Sequence, residues 1–528
     1  MTTPRKLNVL LEMRPALDGY AGIPQETRLL FRGLCMVKGV ALEGLLQTSL
    51  RFLAKGMRSK RQTPDVANGS ASESARLDAY SKLVLSVDNK PSSKWFVQLP
   101  LYFKRRRLAW ALTLSVLFYK QQKIKTTFFE ARFFETFIWQ ALFAKTLHAD
   151  DFALVTSKDY RVCTVPWNIF QTAGLYALKL RAKPIYPALD TTGIDVFIAQ
   201  TPYPARVSAG TQLVVRYHDA LPIFMPHAFA NKVRHQAIHA NALLSNVQCG
   251  AYFACVSEAT RQDLLRIYPE LKDRAVTIHN MVSHYFYEEA SPAASVLGIV
   301  RTRINMQTPA AHPEFSSLAE RDAFYKTHLT EDGFKYLLMV STIEPRKNHA
   351  LLLAAWEQIR VQADPSLRLV IVGNLGWGVD PIMQEMRTWI DQGALFVLNH
   401  VPAADLRVLY RHAQATVCPS LAEGFDYSGV ECMRSGGLVV ASDIAVHREV
   451  FAHAAQYFAT LDVTSLVDAL KQVLYTSGFE ANQHRLRDSG KAVSSRYLPE
   501  NILPQWEAFL DFCYLTKVPT LNAGNTMV

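Results

Sequence analysis

The sequence predicts an α/β protein made of two facing, doubly wound domains. Three observations carry that expectation. Two separate series of short apolar runs alternate with helix-like segments, as a parallel sheet covered by helices requires. A stretch of weak periodicity, residues 287–333, separates the two series. The chain, at 528 residues, also exceeds the roughly 250–300 residues at which a single core stops growing.

The first series opens with LNVLLEM at 7–13, followed by a loop from Arg14 to Gly22 and the helical pattern QETRLLFRGL. It continues through apolar runs at 195–200, 211–218, 251–257 and 275–280. The second series comprises runs at 335–342, 368–374, 395–401, 415–420 and 438–443 and ends near residue 475. The expected division is a first domain over 1–290, interrupted by a helical, basic insertion at about 45–150, then linker and peripheral helices over 291–334. A second domain follows over 335–495, then a helix at 496–518 and a mobile tail at 519–528. A ligand of such a pair sits at the carboxyl ends of the strands, in the cleft between the domains.

Composition narrows the function classes. With 49% hydrophobic and 20% charged residues, the chain is a globular protein and not a disordered one. No apolar run reaches a membrane-spanning length and the first residues lack a cleavable leader pattern, so a cytoplasmic location is expected. The seven cysteines are scattered, with no C-x-x-C pair, which favours free thiols and no metal site. A net charge of +11 points to an anionic partner, but no zinc-finger spacing or RNP-type motif favours nucleic acid.

The insertion combines basic and aromatic residues between 94 and 147, with KRRR at 104–107. A basic helix bearing Trp, Phe and Leu can lie in a membrane interface, although Leu108–Tyr119 is too short to span one. The same pattern also suits a helix packed on the first domain with its charges solvated.

Chemistry concentrates in LAEGFDYSGVECMRSGGLVVASDIAVHRE, residues 421–449. Glu423 follows a strand, and Glu431, after seven intervening residues, falls in the next helix. Two carboxylates so placed can face one cleft and accept hydrogen bonds from sugar hydroxyls. The helix start also aims unsatisfied N–H groups at any nearby phosphate. By itself an E-x7-E spacing describes an ordinary turn and helix.

The surrounding stretch resembles the donor-binding signature of retaining glycosyltransferases of family four, in which Glu-Gly-Phe, a second Glu and a V-A-S-D strand recur. STIEPRKNHALLLAAW (341–356), RLVIVGNLGW (368–377) and HVPAADLRVLYRHAQATVCPS (400–420) are similar to other segments of that family. In the first half, RPALDGYAGIPQETR, VVRYHDALPIFMPHAF and ACVSEATRQDLL resemble its glycine loop, His-Asp strand end and Ser-Glu helix start.

The resemblance implies a GT-B fold of two Rossmann-like domains, the first on the acceptor side and the second binding a nucleotide sugar, with residues 496–518 forming a helix that returns to the first domain. It also implies a metal-independent hexosyltransferase of the mannosyltransferase-like branch, extending a lipid-linked polysaccharide such as capsule or O-antigen. GDP-mannose is favoured over a UDP-sugar as donor, and no cofactor is implied. Arg346 and Lys347 would supply fixed positive charge to the departing diphosphate. Gly22 would let the first loop approach the donor. His218, oriented by Asp219, and Glu423 would contact the transferred sugar, with Gly424, Phe425 and Asp426 lining the donor site and Glu431 holding the ribose. Asp426-Tyr427-Ser428 replaces the family's common Gly-Leu-Pro, so this bulkier turn is expected to tune sugar choice. Pro24 stands where relatives often carry glycine, and its fixed φ suits a first helical turn. The rival readings are a GT-B phosphorylase or epimerase and a noncatalytic scaffold.

Overall fold

The computed structural model describes residues 6–20, 22–57, 69–88, 95–118, 123–330 and 333–516; the tail expected at 519–528 lies outside them. In the first half the strands are β1 (Leu7–Glu12), β2 (Val40–Leu46), β3 (Lys123–Ile124), β4 (Thr127–Glu130), β5 (Asp159–Val162), β6 (Ala188–Leu189), β7 (Val196–Ala199), β8 (Gln212–Tyr217), β9 (Tyr252–Cys255) and β10 (Ala275–Thr277). In the second half they are β11 (Tyr336–Val340), β12 (Arg368–Val372), β13 (Leu395–Leu398), β14 (Ala415–Cys418), β15 (Val439–Ser442) and β16 (Ala455–Phe458).

The second sheet runs β13-β12-β11-β14-β15-β16, all parallel. Its strand order reverses between β11 and β14, the crevice where doubly wound sheets bind ligands. These strands are almost wholly apolar and buried on both faces, with one apolar cluster built around Leu338, Val370 and Ala441 and another around Leu337, Ile371 and Val440. That follows from the pleat, which sends neighbouring side chains to opposite faces.

The first sheet runs β10-β9-β8-β7-β1-β2-β5-β4, parallel except for β4, which pairs antiparallel with β5 at one edge. Its order reverses between β1 and β7. Separate apolar clusters cover its two faces. A small parallel pair, β3 and β6, lies apart.

One boundary differs from the sequence expectation. The stretch assigned to an insertion at about 45–150 cuts into β2 and contains β4, so part of it is sheet. Within residues 291–334, where linker and peripheral helices were expected, the helix Ser295–Arg303 buries Val296, Ile299 and Val300 in the core of the second sheet. The helix Pro499–Leu515 packs Ile502, Trp506, Phe509 and Leu510 into the core of the first domain, against β7 and the helix Ile23–Leu34. None of the described helices is long and apolar enough to cross a membrane.

Candidate active site

The carboxyl ends of β11 and β14 meet at the reversal of the second sheet. After β11 the chain enters a short turn, Pro345–Lys347, which ends at Asn348 in the left-handed region (φ 59°), and the helix His349–Gln362 follows. After β14 the chain passes over this turn, where the Leu421 N–H donates to the Arg346 carbonyl (2.9 Å). The two loops thereby bring together side chains far apart in sequence.

Glu423 is the centre of that meeting. Its Oε2 accepts from Arg346 Nη1 (3.1 Å), and its Oε1 accepts from Lys347 Nζ. Arg346 Nε also lies 2.6 Å from Oε1 of the buried Glu344, an ion pair. Burial acts to raise the Glu423 carboxyl, but the Lys347 ammonium and Arg346 guanidinium outweigh it and hold the group below the ordinary carboxylate range. Burial raises Glu344, with the two cations opposing it. It also raises Asp219, which approaches from the first domain and feels Arg346 most. Two cations are thus fixed among three acids.

The turn Asp426-Tyr427-Ser428 serves the fold more directly than the sequence suggests. Asp426 adopts φ 66° and caps the helix Tyr427–Arg434, its Oδ1 accepting from the Ser428 N–H (3.1 Å) and hydroxyl (2.6 Å). Its Oδ2 lies 3.1 Å from Nε2 of His447, a fully buried ring whose Nδ1 reaches the Ser442 carbonyl. Burial opposes ionisation of Asp426, but the hydrogen bond and charge of His447 hold its carboxyl far below the usual range. Both oxygens are therefore partnered, Oδ1 within the turn and Oδ2 by His447. Phe425 is likewise a core residue, packed edge-on against Tyr427 and Tyr497.

Glu431 sits in that helix, 5% exposed. Its Oε1 accepts from Gln25 Nε2 of the first domain (2.6 Å) and its Oε2 faces the Tyr410 hydroxyl (3.4 Å). Burial pushes its carboxyl up to about 8, with the Gln25 and Tyr410 bonds pulling the other way. Gln25 reaches it because Gly22, at φ 70°, turns the first loop into the helix Ile23–Leu34, where Pro24 occupies the first turn. The loop is staked from beneath by the fully buried Arg28, which donates to the carbonyls of Ala16 (2.7 Å) and Gly19 (2.9 Å).

His218 follows β8. Its Nε2 lies 3.4 Å from Gln200 Oε1, while Asp219, expected to orient it, instead accepts from the Leu221 N–H (3.0 Å). Burial, with Arg216 adding to it, drives the imidazole well below its ordinary range, so the ring is neutral at physiological pH. A side chain at Gly424 would place Cβ 1.9 Å from the His218 carbonyl oxygen, so glycine is required for the two domains to approach here. Glu449 pins the same interface, accepting from the Glu258 and Ala259 N–H groups (2.6 and 2.9 Å) and meeting His279 (2.7 Å).

Sequence reasoning named Glu423, Arg346 and Lys347 but missed their partner Glu344, as well as His447, Gln25 and Gln200. The SDIAVHRE segment had His447 in plain view, yet nothing local signals a partner 21 residues away.

Comparison with known proteins bears on this geometry. Residues 320–493 match the family described as Glycosyl transferases group 1. The chain is 32% identical to O-antigen chain mannosyltransferase B of Escherichia coli over 261 residues, 49% of this chain and 61% of that protein. It is also 32% identical to the serotype-specific mannosyltransferase WbdA of Escherichia coli over 148 residues, 28% of this chain and 18% of that one. The chain thus spans less than two thirds of the length of either relative. The structure of sucrose-phosphate synthase from Thermosynechococcus elongatus aligns with a TM-score of 0.53 at 14% identity, covering 97% of this chain and all of that one. The fold is GT-B, and the family match is confined to residues 320–493.

Proposed function

We propose that the protein is a retaining glycosyltransferase that moves a hexose, with mannose favoured, from GDP-mannose to a growing, lipid-linked surface polysaccharide at the cytoplasmic membrane face. The observation that carries this is the buried cluster of Glu423, Arg346 and Lys347 at the reversal of the second sheet. In this reading Arg346 and Lys347 neutralise the departing diphosphate, which lets the reaction proceed without a metal bridge. Glu423 and His218 hold the transferred sugar, and Glu431 exchanges its Gln25 bond for the ribose hydroxyls. The bond from the sugar C1 to the diphosphate oxygen breaks as the acceptor hydroxyl oxygen bonds C1 on the same face. The acceptor's proton passes to the departing phosphate oxygen. Mannose is favoured because both matched relatives are mannosyltransferases by name. Incubation with radiolabelled GDP-mannose and UDP-glucose tests it: label should move to a mannose-terminated acceptor from the first, and absence of transfer or hydrolysis with either donor would refute it.

Membrane contact belongs to the same reading. The helix Trp95–Phe118 exposes Trp95 (75%), Leu99 (48%) and Phe103 (61%) in its first turns, just ahead of Lys104–Arg107. Its later half buries Ala109, Thr113 and Val116 against the helix Trp167–Ala177. An aromatic end with a basic collar fits an anionic lipid interface. Co-sedimentation with vesicles containing phosphatidylglycerol should capture the protein, and Trp95→Ser with Phe103→Ser should release it; equal binding by the double variant would contradict this part.

A further inference from the structure

The reversal of the first sheet, between β1 and β7, holds a hydrogen-bonded relay that ends on His218. Glu12 closes β1 and is fully buried. Its Oε1 accepts from Arg14 Nε (2.7 Å), and its Oε2 accepts from the backbone N–H of Gln200 (2.8 Å). Arg14 is itself fixed from two more sides, donating Nη2 to the Thr201 hydroxyl (3.3 Å) and lying 4.0 Å over the Trp167 ring. Glu12 and Arg14 therefore cancel each other's charge and clamp the backbone of Gln200.

The Gln200 side chain is fully buried, with Oε1 3.4 Å from His218 Nε2 and Nε2 without a partner. A neighbouring glutamine offers a contrast. Gln47, equally buried, donates Nε2 to the Val165 carbonyl (2.9 Å) and accepts from the Tyr203 hydroxyl through Oε1 (2.9 Å). Its amide is spent on the fold. A buried amide donor left unmet loses its hydrogen bond to water without replacement, so Gln200 is poor as a structural residue. Among the described residues its side-chain hydrogen-bonding contact is with the imidazole, and such contacts in an unliganded site are often long and tighten when substrate binds.

The geometry points to Gln200 as the positioning residue of His218, with its carbonyl oxygen accepting from Nε2–H and so leaving Nδ1 unprotonated to accept a hydrogen bond from a sugar hydroxyl. The relay from Arg14 through Glu12 sets the position of Gln200, and Asp219 takes no part. The role in catalysis rests on the transfer reading above; the tautomer and the stability effect do not.

The test uses the full chain with 15N-labelled histidine. In the parent the His218 imidazole should show the Nε2–H tautomer. Gln200→Leu, which keeps volume and removes both amide atoms, should give a mixture of tautomers and lower kcat roughly tenfold or more with GDP-mannose. The donor KM should stay within about twofold and the thermal midpoint should not fall, because an unmet polar group has been removed. Gln200→Glu, which keeps the accepting oxygen, should recover the Nε2–H signature. An unchanged tautomer in Gln200→Leu, or a midpoint that drops in step with activity, would overturn the assignment. If no nucleotide sugar turns over even with the parent chain, the transfer reading fails, while the tautomer and midpoint still decide the positioning role.

Discussion

At the β11–β14 reversal, Glu344, Arg346, Lys347, Glu423 and the incoming Asp219 share one buried neighbourhood in which every cation touches an acid. At the β1–β7 reversal, Glu12 and Arg14 cancel each other and hand over to an amide and a neutral imidazole. The two reversals thus offer different chemistry. Under the proposed function, Arg346 and Lys347 would share their charge between Glu423 and a diphosphate. Neutral groups with spare hydrogen-bonding capacity are matched to hydroxyls.

The sharpest way to break this contrast is to remove charge from the first end. Arg346→Ala or Lys347→Ala should each cut kcat/KM by about 10²–10³-fold, the usual loss for one electrostatic donor, as measured by transfer of labelled mannose. Closing the cleft differently comes next. Gly424→Ala sets a methyl group against the His218 carbonyl, and a misplacement of about 1 Å between the two ends can cost roughly 10²-fold in rate. GDP binding, measured by calorimetry, should survive in that variant because the nucleotide side stays intact.

Two further effects concern stability. Asp426→Ala breaks a buried pair with His447 and should cost about 3–5 kcal/mol, read by denaturant unfolding. The Asp426 carboxyl is depressed in the folded state, so its contribution is present above the ordinary aspartate range and lost as pH falls through the folded value. The parent should therefore lose stability more steeply in acid than the variant. Glu431 is opposite in sign. Its folded value is raised to about 8, so the stability tied to its protonation is full below the ordinary glutamate range and lost as pH rises through about 8. Glu431→Gln should flatten that decline, followed by thermal melts across this range.

Much of the fold was legible in the sequence because the strands of doubly wound sheets are apolar runs. The expected runs at 335–342, 368–374 and 415–420 correspond to β11, β12 and β14, each shorter at its carboxyl end, where the chain leaves the ladder to build the site. β2 escaped notice for physical reasons. Gly44 interrupts its apolar run because a Cβ there would meet the Tyr160 ring at 2.5 Å, and Glu43 pairs with Arg161 of β5 at 2.7 Å. Neither requirement can be seen locally. The same holds in the site. The resemblance of the stretch around Glu423 to a donor-binding signature singled that residue out, but its two cations lie 76 and 77 residues away. Gln25 meets Glu431 across 406 residues. Spacing reports what shares a helix or a turn; which groups meet across the cleft is set by the packing of two domains.

The most direct measurement is calorimetric titration of GDP-mannose into the full chain and into its Lys347→Ala variant, with thermal melts confirming that both are folded. The account predicts binding by the parent and an affinity at least about tenfold weaker in the variant, since a charge-assisted contact to phosphate is lost. Equal affinity in the two proteins would place the donor elsewhere and contradict the assignment of the β11–β14 reversal.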